Sequence, residues 1–93
     1  MAADLTISQM YDVNTLAGTG AQQEVALPSC GTLRMAAETA ATKYAWTDGD
    51  IAGGDYMLIP ASGHVEIPIP SGVTTVYVLN TGGNTLFDCW LDK

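Results

Sequence analysis

The chain says nearly the same thing twice. Leu27-Pro28-Ser29 opens a segment that runs through Leu33-Arg34-Met35 and Thr39-Ala40-Ala41-Thr42 to Trp46. Ile69-Pro70-Ser71 opens a second, through Val76-Tyr77-Val78 and Thr81-Gly82-Gly83-Asn84 to Trp90. Each copy reads as aliphatic-Pro-Ser, alternating strand, Thr-led turn, second strand, Trp. A Pro-led loop feeding a hairpin is a structural unit, and two such units can bury their apolar faces against each other as a β-sandwich. Two copies fall short of a solenoid, which needs three or more. The repeat argues for a compact scaffold and carries no chemistry.

The rest of the chain agrees with a small all-β domain. Apolar residues alternate with polar ones in short bursts between turn residues, without sustained helical periodicity. Leu5 and Ile7 mark a first strand, and Gln23 to Leu27 a second, stopped by Pro28. Leu33, Met35 and Ala37 alternate with Arg34 and Glu38 in a third, and Tyr44 and Trp46 project together from a fourth. Tyr56 to Ile59, His64 to Ile67, Thr74 to Asn80 and Thr85 to Leu91 supply the others. Pro68 and Pro70 restrict their segment to a sheet edge or loop, because neither donates to a ladder. The Ala-rich run Met35 to Lys43 has helix propensity, yet its match to Val78 to Thr85 favours strand-turn-strand. The expected fold is an antiparallel β-sandwich or jelly-roll of about eight short strands. Residues 1–21, with Gly18-Thr19-Gly20, read as an N-terminal strand and a flexible, extended arm, and 22–93 as the sandwich domain.

Composition narrows the function classes. The 93 residues make one small domain, which buries roughly 60% of its unfolded surface and gains from partners or self-association. Only 14% of residues are charged, against about 25% in ordinary globular chains. A surface of Thr, Ser, Gly and Asn sheds water at low cost and suits subunit packing. The net charge is −7, and Arg34, Lys43 and Lys93 are the only cations. Nucleic-acid binding relies on several such contacts, so no nucleic-acid partner is expected. No apolar run has the length of a membrane span, and Met1-Ala2-Ala3-Asp4 lacks the cationic start and apolar core of a signal peptide. The expectation is synthesis in a cytoplasm, with Cys30 and Cys89 as free thiols there. A bridge between them is geometrically possible from their positions.

Asp48, Asp50 and Asp55 give the acid-Gly texture of a calcium loop, but the twelfth position from Asp48, where an EF-hand places its bidentate Glu, is Ile59. A solvated loop with Asp as turn former is the default, and a looser cation site the open alternative. His64, the only histidine, has Ser62 nearby on a turn but no orienting acid beside it. It reads as a surface or interface imidazole. Tyr44, Trp46, Tyr56, Tyr77, Phe87 and Trp90 could line a sugar-binding face, but a chain of this length needs large side chains inside. The equivalence of Trp46 and Trp90 in the repeat suggests paired core or inter-sheet positions. No catalytic, cofactor-binding or metal-ligating residue is assigned, and the chain is read as non-enzymatic.

Gln23, Val25, Leu27, Pro28, Leu33, Arg34, Gly63, Pro70, Gly72, Val76, Val78, Thr81, Gly82 and Trp90, within the run from Gln22 to Leu91, together form a recognisable texture. It resembles that of the small β-sandwich structural proteins of tailed-bacteriophage virions. The resemblance implies a capsid cement or decoration protein on the outer face of the phage head. Such a protein acts as a dimer or trimer and clamps neighbouring subunits of the major capsid protein. The Cys30 and Cys89 pair departs from the pattern. Two alternatives are a carbohydrate-binding or host-attachment module on the same kind of sandwich, and a head-tail connector or tail component.

Overall fold

A computed structural model describes residues 3–91. Strand alternation matches the sequence pattern wherever one sheet face is buried. In β4 (Thr32–Glu38), Leu33, Met35 and Ala37 point inward while Arg34 and Glu38 stay exposed. In β8 (Thr75–Asn80), Val76 and Val78 are buried, and in β9 (Asn84–Trp90), Phe87 and Cys89. Those faces meet in one core with Ile7, Val25 and Ile59.

The remaining strands among the described residues are β1 (Leu5–Thr6), β2 (Asn14–Ala17), β3 (Gln23–Ala26), β5 (Thr42–Ala45), β6 (Met57–Ile59) and β7 (His64–Pro68). One sheet has the order β1-β3-β8-β5-β6 and the other β2-β9-β4-β7. All pairings are antiparallel except β1 with β3. Leaving β1 aside, this is the strand order of a double-sheet jelly-roll. The expected sandwich class is therefore the observed one.

The expected hairpins are absent. β4 and β5 lie in different sheets, and so do β8 and β9. Each Thr-led turn is a corner that carries the chain from one sheet to the other. The first strand of each copy pairs with the second strand of the other copy. Register runs unbroken from Thr32↔Trp90 to Glu38↔Asn84, then across both corners to Thr42↔Asn80 and Ala45↔Tyr77. The repeat is thus a single two-stranded ribbon folded at its middle, with residues 39–41 and 81–83 facing each other at the fold. β2 and β3 extend the pattern on one side, pairing with β9 and β8. β7 and β6 do so on the other, against β4 and β5.

Asn80 ties this corner together. Its buried amide nitrogen donates to the Ala40 carbonyl at 2.8 Å and to Thr42 Oγ1 at 3.0 Å. Its amide oxygen accepts from Gly82 N at 3.1 Å and Gly83 N at 2.7 Å. Thr42 Oγ1 in turn meets Thr85 Oγ1 at 2.8 Å, a buried pair from the two halves of the ribbon. Close approach excludes side chains here. A Cβ on Gly83 would lie 1.8 Å from the Glu38 carbonyl oxygen, and one on Gly18 would lie 2.5 Å from the carbonyl oxygens of Asn80 and Gly83.

Residues 14–21, expected to be a flexible connection, include β2, with Leu16 buried. Upstream, β1 edges the first sheet: Asp4 N donates to the Glu24 carbonyl, and Glu24 N to the Asp4 carboxylate. Ile7 is buried at 1% exposure. The expected N-terminal strand is β1, and the stretch after it, read as an arm, holds β2 of the other sheet. The Asp48 to Asp55 stretch, expected to be all loop, holds a one-turn helix, α1 (Asp50–Gly53).

Two outcomes follow from this packing. Asn80→Ala leaves buried donors and acceptors unpaired and should lower unfolding stability by about 3 kcal/mol in urea titrations. Deleting residues 1–20 removes β1, β2, Ile7 and Leu16, and the truncated chain should lose its cooperative thermal transition in calorimetry.

Candidate functional site

Beyond β5 the chain leaves the sheet at Trp46, turns through α1, and returns as β6 beside β5. Gly49 (φ 90°) and Gly54 (φ 91°) bracket the helix in the left-handed region, where a Cβ would be strained. Ile51 is buried and anchors the excursion, and Asp55 N donates to the Asp50 carbonyl at 2.8 Å. Between this loop and the sheet lies a cleft of about 300 Å³, lined by Tyr44, Ala45, Trp46, Thr47, Asp50, Asp55, Tyr56 and Met57.

Its floor is aromatic. Tyr44 and Trp46 meet edge to face, with centroids 6.4 Å apart and planes at 78°. Burial pushes the Tyr44 hydroxyl above its ordinary 10.0, so it stays a neutral hydrogen-bonding group at physiological pH. The Lys43 ammonium lies 4.8 Å from the Tyr56 ring centroid and so takes one ring face. Asp50 is half-buried and Asp55 exposed. Rings with carboxylates at the rim suit a small polyhydroxylated ligand, whose C–H faces stack and whose hydroxyls donate. On the edge strand β6, Met57 of the cleft wall and the adjacent Leu58 are 64% and 53% exposed. They face opposite sides of the sheet, one on each side of its open edge.

The other predicted positions are dispersed. Asp48 accepts from Gln22 Nε2 at 2.7 Å and does not line the cleft. Among the described residues no three His, Cys, Asp or Glu side chains gather at metal-binding distance. His64 is exposed on β7, opposite Ala36, and Ser62 sits in the preceding turn at φ 65°. Phe87 and Tyr44 are buried core residues, but the others named with them are not. Trp90 lies half-buried on the second sheet, its ring 5.6 Å from the Arg34 guanidinium, which also pairs with Asp88 at 2.9 Å. Trp46 instead packs against the core beside the cleft. The two tryptophans of the repeat therefore have unlike environments, because each corner sends its second strand into a different sheet.

The second cleft, of about 230 Å³, lies where the two opening loops of the repeat converge. Pro28, Ser29 and Cys30 form one wall, and Ile69 to Thr74 the other. Cys30 and Cys89 are free thiols. Burial, then the hydrogen bond and charge of Cys30, then the Asp88 carboxylate push the Cys89 thiol up to about 12.

No family model matches this sequence, and comparison with curated proteins and with solved structures gave no match.

Cys89 sets an alkaline limit to stability. Unfolded, the thiol ionises near 9.0, whereas folded it holds its proton to about 12. The native state binds more protons in that window, so its advantage is complete below pH 9 and is lost as pH rises toward 12. Tyr44 and Tyr77, both raised from 10.0, act in the same direction. Denaturation midpoints measured from pH 8 to 11 should fall, and less steeply in Cys89→Ala.

Proposed function

We propose that this chain is a non-enzymatic virion structural protein: a capsid decoration protein that binds the outside of an assembled bacteriophage head and stabilises the lattice of major capsid protein. The observation that carries the reading is the open edge of β6, with Met57 exposed on one side of the sheet and Leu58 on the other. Met57 and Leu58 stand on an open sheet edge, where a partner adds backbone hydrogen bonds as well as apolar contact. The jelly-roll architecture recurs in viral capsid domains, which supports the reading. Low charge density makes the surface inexpensive to desolvate, and the net charge of −7 suits an exterior position away from packaged DNA.

The mechanism is linkage. A protein that binds the assembled lattice and not its separated subunits stabilises assembly by its binding free energy. A dimer or trimer multiplies that effect through local concentration. Because β1 and β2 tie the N-terminal segment into the two sheets, docking falls to β6 and its neighbours.

The cleft favours a second reading, a carbohydrate-binding or host-attachment module. Jelly-rolls also serve as lectin domains, and Trp46 and Tyr56 share the cleft with Asp50 and Asp55.

The test is to purify particles from the infected source and count copies of this chain per major capsid protein by quantitative mass spectrometry. Hundreds of copies are expected, about a dozen would move the chain to the neck or tail, and absence would overturn the virion reading. On expanded heads, Met57→Lys with Leu58→Lys should abolish co-sedimentation while leaving the melting transition intact. The carbohydrate reading predicts instead that glycans shift tryptophan fluorescence, and that Trp46→Ala removes the shift.

A further inference from the structure

The two cysteines are far apart in sequence but meet at one end of the folded ribbon. Cys89 is wholly buried in β9, opposite Leu33 of β4. Cys30 precedes β4 and packs partly buried against the same core. The residues that follow them, Gly31 and Trp90, share a backbone hydrogen bond, and the two thiols lie near enough to perturb each other. The backbone around Cys30 is held on both sides: Gly31 N donates to the Trp90 carbonyl at 3.0 Å, and Ile69 N donates to the Gly31 carbonyl at 2.8 Å. Cys30 also lines the cleft between the Pro28 and Pro70 loops. One thiol is therefore reachable from solvent, and the other is reachable through the first.

We propose that Cys30 and Cys89 are a built dithiol modification site, which a small-molecule disulfide of the glutathione class oxidises to an intrachain disulfide by entering at Cys30. In the first step the Cys30 sulfur, as thiolate, attacks one sulfur of glutathione disulfide. The S–S bond of that molecule breaks, and the departing glutathione thiolate takes up a proton from solvent, replacing the one Cys30 released. In the second step the Cys89 sulfur, on losing its proton, attacks the Cys30 sulfur of the mixed disulfide. The Cys30–glutathione bond breaks, and a second glutathione thiol leaves. Two protein thiols are oxidised and one glutathione disulfide is reduced to two thiols. Burial disfavours the Cys89 thiolate, so Cys89 serves as the resolving thiol, acting at close range within the molecule. The link pins the Pro28 loop to β9 and closes a long stretch of chain, which constrains the unfolded state. None of this depends on the capsid reading.

The experiment exposes the intact, folded chain to oxidised glutathione in native buffer and follows it by intact mass and peptide mapping. The expected product has lost the mass of two hydrogens, yields a linked Cys30–Cys89 peptide, and melts at a higher temperature until dithiothreitol reverses it. Cys89→Ala should stop at one glutathione adduct on Cys30, and Cys30→Ser should acquire none. Should either variant fail to fold, brief iodoacetamide treatment of the native wild-type chain reads the same order, with Cys30 labelled ahead of Cys89. A stable Cys30 adduct that never closes, links only between chains, or faster labelling of Cys89 would each overturn the proposal.

Discussion

One side-chain amide holds the place where the ribbon folds. Asn80 bonds with both corners at once: its nitrogen reaches Ala40 and Thr42 in the first, and its oxygen accepts the amides of Gly82 and Gly83 in the second. A corner between sheets breaks the ladder and leaves backbone groups to be satisfied by other means. Asn suits the task because it carries both donors and an acceptor on one short, rigid group. Surrounded by Thr42 and Thr85, the amide is fully buried, so each unmet bond would carry a desolvation cost. Gly18 and Gly83 fit the same constraint, since the backbones pass too closely for a Cβ.

Folding the ribbon there determines what lies at its ends. The loops that open the two copies converge at one end, forming the cleft that Cys30 lines and bringing Cys30 to Cys89. On the first sheet, the connection from β5 to β6 swings out through α1 and leaves the aromatic and acidic cleft behind it. β6 ends that sheet with an unpaired edge and two exposed apolar side chains. At the opposite edge, β1 covers part of β3, whereas the β6 edge stays open.

The all-β class, most strand positions and the paired copies were legible because alternation and turn chemistry are local signals. β2 was missed, since Asn14-Thr15-Leu16-Ala17 has one buried residue and lies against a glycine-rich run. It is a strand because β9 offers it a ladder. The hairpins were misread for a related reason. Thr81-Gly82-Gly83-Asn84 is compatible with a tight turn, and nothing in those residues states which strand the chain will pair with afterwards. The core reading of the aromatics holds for Tyr44 and Phe87, which are buried, whereas Trp46 and Tyr56 line the cleft and Trp90 lies under Arg34. No sequence signal separated these, because facing depends on which sheet each strand joins. Met57 had no signal either, being an ordinary apolar residue whose exposure comes from its place on an edge.

The sequence by itself determined the spacing of inward side chains, the positions where the chain must turn, a surface poor in charge, and the near-duplication of a strand-corner-strand unit. These follow from a period of two and from the backbone freedom of Gly, Pro and Asn, which act over a few residues. Tertiary structure alone decided that the copies exchange strands, that Asn80 fills the corner between them, that Cys30 lies near Cys89, and that β6 is left at an edge. Those outcomes depend on pairing between segments distant in the chain, where register is selected by the burial of whole faces at once.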